Sequence, residues 1–216
     1  MHKPLFHRLL SDDIETEEVD PRTVTNGLLS PEVESISSAA QTRVEQFTAG
    51  RVCSRAALGR FGVAATTPIL RAEDRAPIWP KGFVGTITHT DTWCSAAVAR
   101  SESFRSVGID LEPATPLKES LWRRVCTKAE REHLRDAPDP GLRGKLMFSA
   151  KEAVYKCQYT LTTQFLGFHA VELELGEGTF EAVFRQAAGE FQAGDVMVGR
   201  YLIEEGLVAT ACELRA

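Results

Sequence analysis

The hydrophobic pattern of this chain changes period twice, from helical to extended and back, and that alternation constrains its fold more than any other feature. Val33, Ile36, Ala40, Val44 and Phe47 recur at intervals of three and four, as in a helix that buries one face. Ser30-Pro31 precedes them as a helix start, with Ser as N-cap and Pro at the first helical position. This helix is expected to run through Arg51 to Leu58 and to end at Gly59 and Gly62. From Val84 the period shortens, and residues 84–88, 93–99 and 107–111 read as three short strands. Pro113 and Pro116 stop that run, and a helical pattern returns. Thr127 and Glu130 form a T-x-x-E capping box that opens a short helix ending before Pro138-Asp139-Pro140-Gly141. Residues 143–159 form a stronger helix. Strand patterns follow at 169–175, 179–184, 197–203 and, past the Glu204-Glu205-Gly206 turn, 207–214.

Helix then strands, followed by helices then strands, is an α+β order: two halves, each with helices packed on a small, mainly antiparallel sheet. The halves are assigned to residues 1–114 and 115–216, meeting near 113–117, with no repeat visible between them. Residues 11–20 read as an exposed acidic lead-in ending at Pro21, and residues 68–80 as a loop.

Charge and cysteine content narrow the class. The five cysteines (Cys53, Cys94, Cys126, Cys157, Cys212) are scattered without C-x-x-C spacing, which favours reduced thiols in a cytoplasmic protein over a disulfide or zinc framework. No apolar run approaches the roughly 20 residues of a membrane span. The start Met1-His2-Lys3-Pro4 has no apolar core of a secretory signal. A net charge of −5 argues against general nucleic-acid binding but is unevenly spread. Residues 11–34 hold eight acids and one base, whereas 118–156 hold ten Lys/Arg against six Asp/Glu and 41–81 hold seven against three. The two basic regions suit either a polyanionic ligand and an acidic partner or ordinary solvated helix faces.

Three elements carry candidate chemistry. In Gly108-Ile109-Asp110-Leu111-Glu112-Pro113 an extended backbone sends Asp110 and Glu112 to one face, about 6.5–7 Å apart, and Ile109 and Leu111 to the other. Such a pair can hold a hard cation such as magnesium, although Asp-x-Glu alone is weak evidence. In Phe148-Ser149-Ala150-Lys151-Glu152-Ala153-Val154-Tyr155-Lys156, Glu152 and Lys156 share a helix face. An isolated pair of this kind is ordinarily a surface ion pair, but apolar and small neighbours leave this helix little solvated face. His89 follows a strand among Thr86, Thr88 and Thr90, which would suit an anion, or is simply an exposed histidine.

Taken together and in this order, these elements resemble the phosphopantetheinyl transferase superfamily, in its larger pseudo-dimeric class of the enterobactin synthase component D type. The resemblance is carried by Trp79-Pro80-x-Gly82 leading to Val84-Gly85-Thr86-Ile87-Thr88-His89, by Val107 to Pro113, by Phe148 to Lys156, and by Leu166-Gly167-Phe168. It extends more loosely to Arg51 to Leu58 and Pro68 to Arg71, about residues 41–170 in all.

The resemblance implies two pseudo-symmetric halves in a single compact unit with the active site at their interface. It implies transfer of the 4′-phosphopantetheine arm of coenzyme A to a serine of an apo carrier protein, releasing adenosine 3′,5′-bisphosphate, in peptide, polyketide, siderophore or fatty-acid synthesis. Asp110, Glu112 and Glu152 would hold Mg²⁺, or Mn²⁺ in its place. Glu152 would act as general base and Lys156 on the leaving phosphate. Arg43, Arg51, Arg71, Thr88 and His89, with Asp110 and Lys156, would bind coenzyme A; Arg55 is left out as an ordinary surface arginine. The carrier is expected to be acidic and helical and to dock on Trp122, Arg123 and Arg124, with the enzyme a monomer that needs neither nucleic acid nor membrane. A metal-dependent phosphohydrolase and a catalytically silent coenzyme A- or carrier-binding protein remain the alternatives.

Overall fold

A computed structural model describes residues 4–216. Met1, His2 and Lys3, the start of the segment read as lacking a signal core, lie outside the described residues. The chain is α+β and divides into two compact units: one runs to Val107 and takes in Arg215–Ala216, and the other is Gly108–Leu214. The division falls seven residues before the expected 114/115 boundary, so the Asp-x-Glu motif belongs to the second unit.

In the first unit, β1 (Glu15–Val19) is followed by α1 (Ser30–Val33), α2 (Gln41–Arg60), β2 (Leu70–Arg71), β3 (Pro77–Ile78), β4 (Phe83–His89), β5 (Cys94–Arg100) and the start of β6 (Phe104–Pro113). Three sequence expectations are corrected here. The acidic lead-in is a strand, β1, paired antiparallel with β5 from Glu15↔Val98 to Val19↔Cys94. Its charges are answered within the first unit: Arg60 on α2 pairs with Glu17 and Glu15, and Glu18 accepts the Phe6 amide at 3.0 Å. The helix expected from Ser30 to Leu58 is broken into α1 and α2. Leu29, not Ser30, is the first N-cap, and serines between the helices compete for backbone groups, Ser37 donating to the Glu34 carbonyl at 3.4 Å. Residues 68–80 are not a plain loop but a small hairpin, β2 against β3, whose tip holds Arg75 at φ 74°.

The second unit contains the rest of β6, then α3 (Glu119–Val125), α4 (Lys128–Arg135), α5 (Pro140–Thr162), β7 (Val171–Leu175), β8 (Thr179–Phe184), β9 (Val196–Glu204) and β10 (Leu207–Arg215). Its five strands lie in the order β6-β10-β9-β8-β7. The Thr127–Glu130 capping box forms as expected. Helix α5 starts earlier than expected, because Asp139 caps the Leu142 amide at 2.9 Å and Pro140 takes the first helical turn. Along its 23 residues only Arg143 and Thr160 are exposed. Its apolar side, with Met147, Ala150, Ala153, Val154 and Cys157, meets Phe180, Phe184 and Met197 of the sheet in one core.

Gly108 sets how closely β6 and α5 approach. A Cβ at this position would lie 2.0 Å from the Ala153 carbonyl oxygen and 2.8 Å from Cys157 Cβ. Only glycine allows that spacing, and the contact carries Asp110 to the helix turn bearing Glu152 and Lys156.

Candidate active site

The alternation expected in β6 is present. Ile109 and Leu111 are fully buried on one side, and Asp110 and Glu112 lie on the other. Lys156 Nζ donates to Asp110 Oδ1 at 2.8 Å and to the Ile109 carbonyl at 3.0 Å. Lys156 therefore reaches across to the strand, not back along α5 to Glu152. Lys145, which the sequence reading missed, donates to Glu112 Oε2 at 2.8 Å. Its signal was available: Lys145 lies seven residues before Glu152, two helical turns earlier on the same face.

Glu152 sits half-buried between these pairs and, among the described residues, receives neither a hydrogen bond nor an ion pair. Burial pushes its carboxyl above the usual carboxylate range, and the negative charge of Asp110 pushes it further. Lys156 pulls it back, and Glu112 adds a smaller upward push. Three carboxylates thus share one field, with two lysines as their counter-charges. Among the described residues no group of three or more His, Cys, Asp or Glu side chains is arranged as a ready metal site. The donor chemistry nevertheless fits a hard divalent ion: the donors are all carboxylate oxygens, and their mutual repulsion is what such an ion would relieve.

A cavity of about 240 Å³ opens beside Glu152. Tyr155, Leu166, Phe168 and Val171 wall it, and Phe165, 79% exposed, stands at its mouth with its ring 5.9 Å from that of Tyr155. Of these wall residues, Tyr155, Leu166 and Phe168 stood in motifs marked in the sequence, but without a role; Val171 did not.

The first unit gathers a cationic set. Arg43 Nη1 lies 2.8 Å from His89 Nε2. Because a guanidinium only donates, that nitrogen accepts and the ring proton resides on Nδ1. Burial lowers the Arg43 pKa, and the positive charges of Arg71 and of Arg75 lower it further, so three guanidiniums face one region. Arg75 was not singled out in the sequence, since nothing in a loop reading folds it back toward Arg43. Arg51 is buried; its Nε donates to the Ile69 carbonyl at 2.8 Å and its guanidinium stacks 4.0 Å over Phe47. Burial brings its pKa down to about 10, against the raising charge of Glu32, and it stays cationic at neutral pH. Thr88 is buried in β4.

Two expectations are corrected. Arg55 is no surface arginine: its side chain is 10% exposed and pairs with the fully buried Glu32 at 2.6 Å. Trp122 is buried, its Nε1 donating to the Leu117 carbonyl at 3.1 Å, so it offers no docking surface. Arg123 and Arg124 beside it are exposed.

Comparison with known proteins agrees with the geometry. Residues 31–99 match the 4′-phosphopantetheinyl transferase N-terminal domain, and residues 106–211 match the 4′-phosphopantetheinyl transferase superfamily. The 4′-phosphopantetheinyl transferase Npt of Nocardia iowensis is 35% identical, over 82% of this chain and 84% of its own. The 4′-phosphopantetheinyl transferase Svp of Streptomyces mobaraensis is 39% identical, over 88% and 79%. Enterobactin synthase component D of Escherichia coli (strain K12) is 27% identical, over 85% and 83%. With most of its length matched and its carboxylates and lysines gathered on β6 and α5, this chain belongs to the 4′-phosphopantetheinyl transferase superfamily.

Proposed function

We propose that this protein moves the 4′-phosphopantetheine arm of coenzyme A onto a serine hydroxyl of an apo carrier protein and releases adenosine 3′,5′-bisphosphate. The observation that carries this reading is the Glu152 carboxyl, held above its usual range beside Asp110, Glu112 and Lys156. A raised carboxyl pKa makes the carboxylate a stronger base toward a hydroxyl proton.

In this reading the serine oxygen attacks the phosphorus that bears the arm. The new O–P bond forms as the bond to the bridging pyrophosphate oxygen breaks. The serine proton passes to Glu152, and the charge gathering on the leaving phosphate meets the Lys156 ammonium. Asp110, Glu112 and Glu152 are the residues that would hold Mg²⁺ or, with the same oxygen preference, Mn²⁺. A divalent ion bound there supplies neutralisation of the pyrophosphate charge. Within the first unit, Arg43, Arg71, Arg75 and His89 take the nucleotide phosphates, with the buried Arg51 and Thr88 as further candidates. The cavity beside Glu152 takes the arm, whose dimethyl and amide chain suits an apolar wall with a polar end. The reaction belongs to the cytoplasm, where the five buried cysteines, none in a disulfide, stay reduced.

Mass spectrometry tests the activity. Incubation with coenzyme A, Mg²⁺ and an apo carrier domain is expected to add about 340 Da to the carrier serine. Loss of coenzyme A without carrier modification would identify a hydrolase instead. Binding of coenzyme A without either change would identify a silent binding protein.

The Glu152 environment also sets a pH dependence of stability. A carboxyl with a raised folded-state pKa stabilises fully below its unfolded pKa, and that contribution is lost as pH rises through the folded value. In metal-free protein, the melting temperature of wild type minus that of Glu152→Gln is therefore expected to fall as pH rises from the ordinary carboxylate range through the raised folded-state value. A difference that rises or stays flat would contradict the environment described.

The exposed Arg123 and Arg124 on α3 give the carrier a basic face. Charge reversal at both is expected to raise the KM for an acidic carrier about tenfold, with coenzyme A binding unchanged. An unchanged carrier KM would move docking elsewhere.

A further inference from the structure

Both units contain the same buried construction, although no sequence repeat announces it. In the first unit, Glu32 stands at the third position of α1 and is fully buried. Its Oε2 accepts its own N-cap amide, Leu29, at 2.9 Å, and its Oε1 accepts the distant Ile69 amide at 2.8 Å. Arg55, from the long helix α2, donates to both oxygens and also to the Gly27 carbonyl. In the second unit, Glu130 stands at the third position of α4 and is 1% exposed. Its Oε2 accepts its own N-cap amide, Thr127, at 2.6 Å, and its Oε1 accepts the distant Leu173 amide at 2.7 Å. Lys151, from the long helix α5, donates to Oε2 at 2.7 Å and to the Val125 carbonyl at 3.0 Å. Gly27 and Val125 each lie five residues before the glutamate they accompany. Two sequences have arrived at one geometry.

Buried ion pairs are poor sources of stability, because desolvation offsets their attraction. A construction of this cost, present twice, is better explained by what it holds in place. In the first unit it fixes Ile69, which leads into β2 and Arg71. In the second, the third proton of Lys151 goes to the Phe168 carbonyl at 2.9 Å, and Phe168 walls the cavity beside Glu152. All three ammonium donors are thereby used, on three separate pieces of chain that meet at the helix turn before Glu152.

We propose that Lys151 and Glu130 are positioning residues that hold the Phe168 wall of the cavity against α5, and so set the site for the pantetheine arm. This rests on the reading that the cavity beside Glu152 receives that arm. Neither residue touches the reacting atoms.

The test compares two ligands that differ by the arm. Coenzyme A carries it; adenosine 3′,5′-bisphosphate does not. In the double variant Lys151→Met/Glu130→Gln both buried charges are removed together, which avoids leaving either one unpaired. By calorimetry this protein is expected to bind coenzyme A about tenfold more weakly while binding the bisphosphate within about twofold of wild type. A merely structural role would lower the melting temperature without separating the ligands. Coenzyme A affinity within twofold of wild type, or an equal or greater loss for the bisphosphate, would overturn the proposal. Should the double variant fail to fold, Lys151→Arg carries the same comparison, since it keeps the charge but cannot place one compact ammonium among these three oxygens. Wild-type protein that binds both ligands equally would remove the arm site itself, and the positioning role with it. Activity of Glu152→Gln bears on the role of Glu152 as base or metal ligand and leaves this binding comparison intact.

Discussion

Replacing Glu152 by Gln is expected to lower the rate of carrier modification by about 10²–10⁴-fold, the usual contribution of a positioned general base. In free energy this is about 3–5 kcal/mol of transition-state stabilisation. The substitution keeps the shape of the side chain and removes only its ability to take a proton and its negative charge. Asp110 and Glu112 retain their own partners, Lys156 and Lys145, both at 2.8 Å, so coenzyme A affinity is expected to change far less than kcat. Single-turnover kinetics with saturating coenzyme A measure the chemical step directly. Two outcomes refine the assignment. Recovery of rate at high Mg²⁺ would make Glu152 chiefly a metal ligand. Wild-type rates without such rescue would remove it from the chemistry.

The second large effect is on folding. Gly108→Ala would drive a Cβ to 2.0 Å from a backbone carbonyl oxygen, on α5, that has no freedom to swing away. Overpacking commonly costs about 1–3 kcal/mol when a side chain can yield, and here the obstacle is main chain. A loss of at least about 3 kcal/mol is expected, a large part of the 5–15 kcal/mol available to a typical domain. At about 2–4 °C per kcal/mol for this chain length, the melting temperature should drop by about 6–12 °C or the protein become insoluble. Gly59→Ala is the control. That glycine lies in α2 with nothing within 4 Å of its added Cβ, and alanine there should stabilise by about 0.4–1 kcal/mol. Equal melting temperatures for wild type and Gly108→Ala would refute the close approach of β6 to α5.

The legibility of the fold followed the range of the forces involved. Strand β8 was read to the residue and β9 to within one, because alternating burial is a local pattern; β10, continuously buried from Leu207 to Cys212, was read to within one from the turn before it and its run of apolar residues. The Thr127–Glu130 capping box was equally local. The strand β1 was missed because its acidic residues look solvated in sequence; they find Arg60 and the Phe6 amide only after the chain folds back. The break between α1 and α2 was missed because three- and four-residue spacing continued across serines that favour other backbone bonds.

The candidate site divides in the same way. Sequence alone singled out the side chains proposed for the chemistry: a strand sets Asp110 and Glu112 on one face, a helix sets Glu152 and Lys156 on another, and the order of these motifs identified the family. It could not say who partners whom. Within the second unit the tertiary structure gave Lys156 to Asp110 and Lys145 to Glu112 and buried Trp122; within the first it set Arg75 near Arg43; and it turned Arg55 and Lys151 into the cations of two matching braces. The reason is physical. Periodicity is fixed by the backbone within a few residues, whereas a buried charge takes whichever partner lies nearest in space, and that partner can be dozens of residues away in the chain.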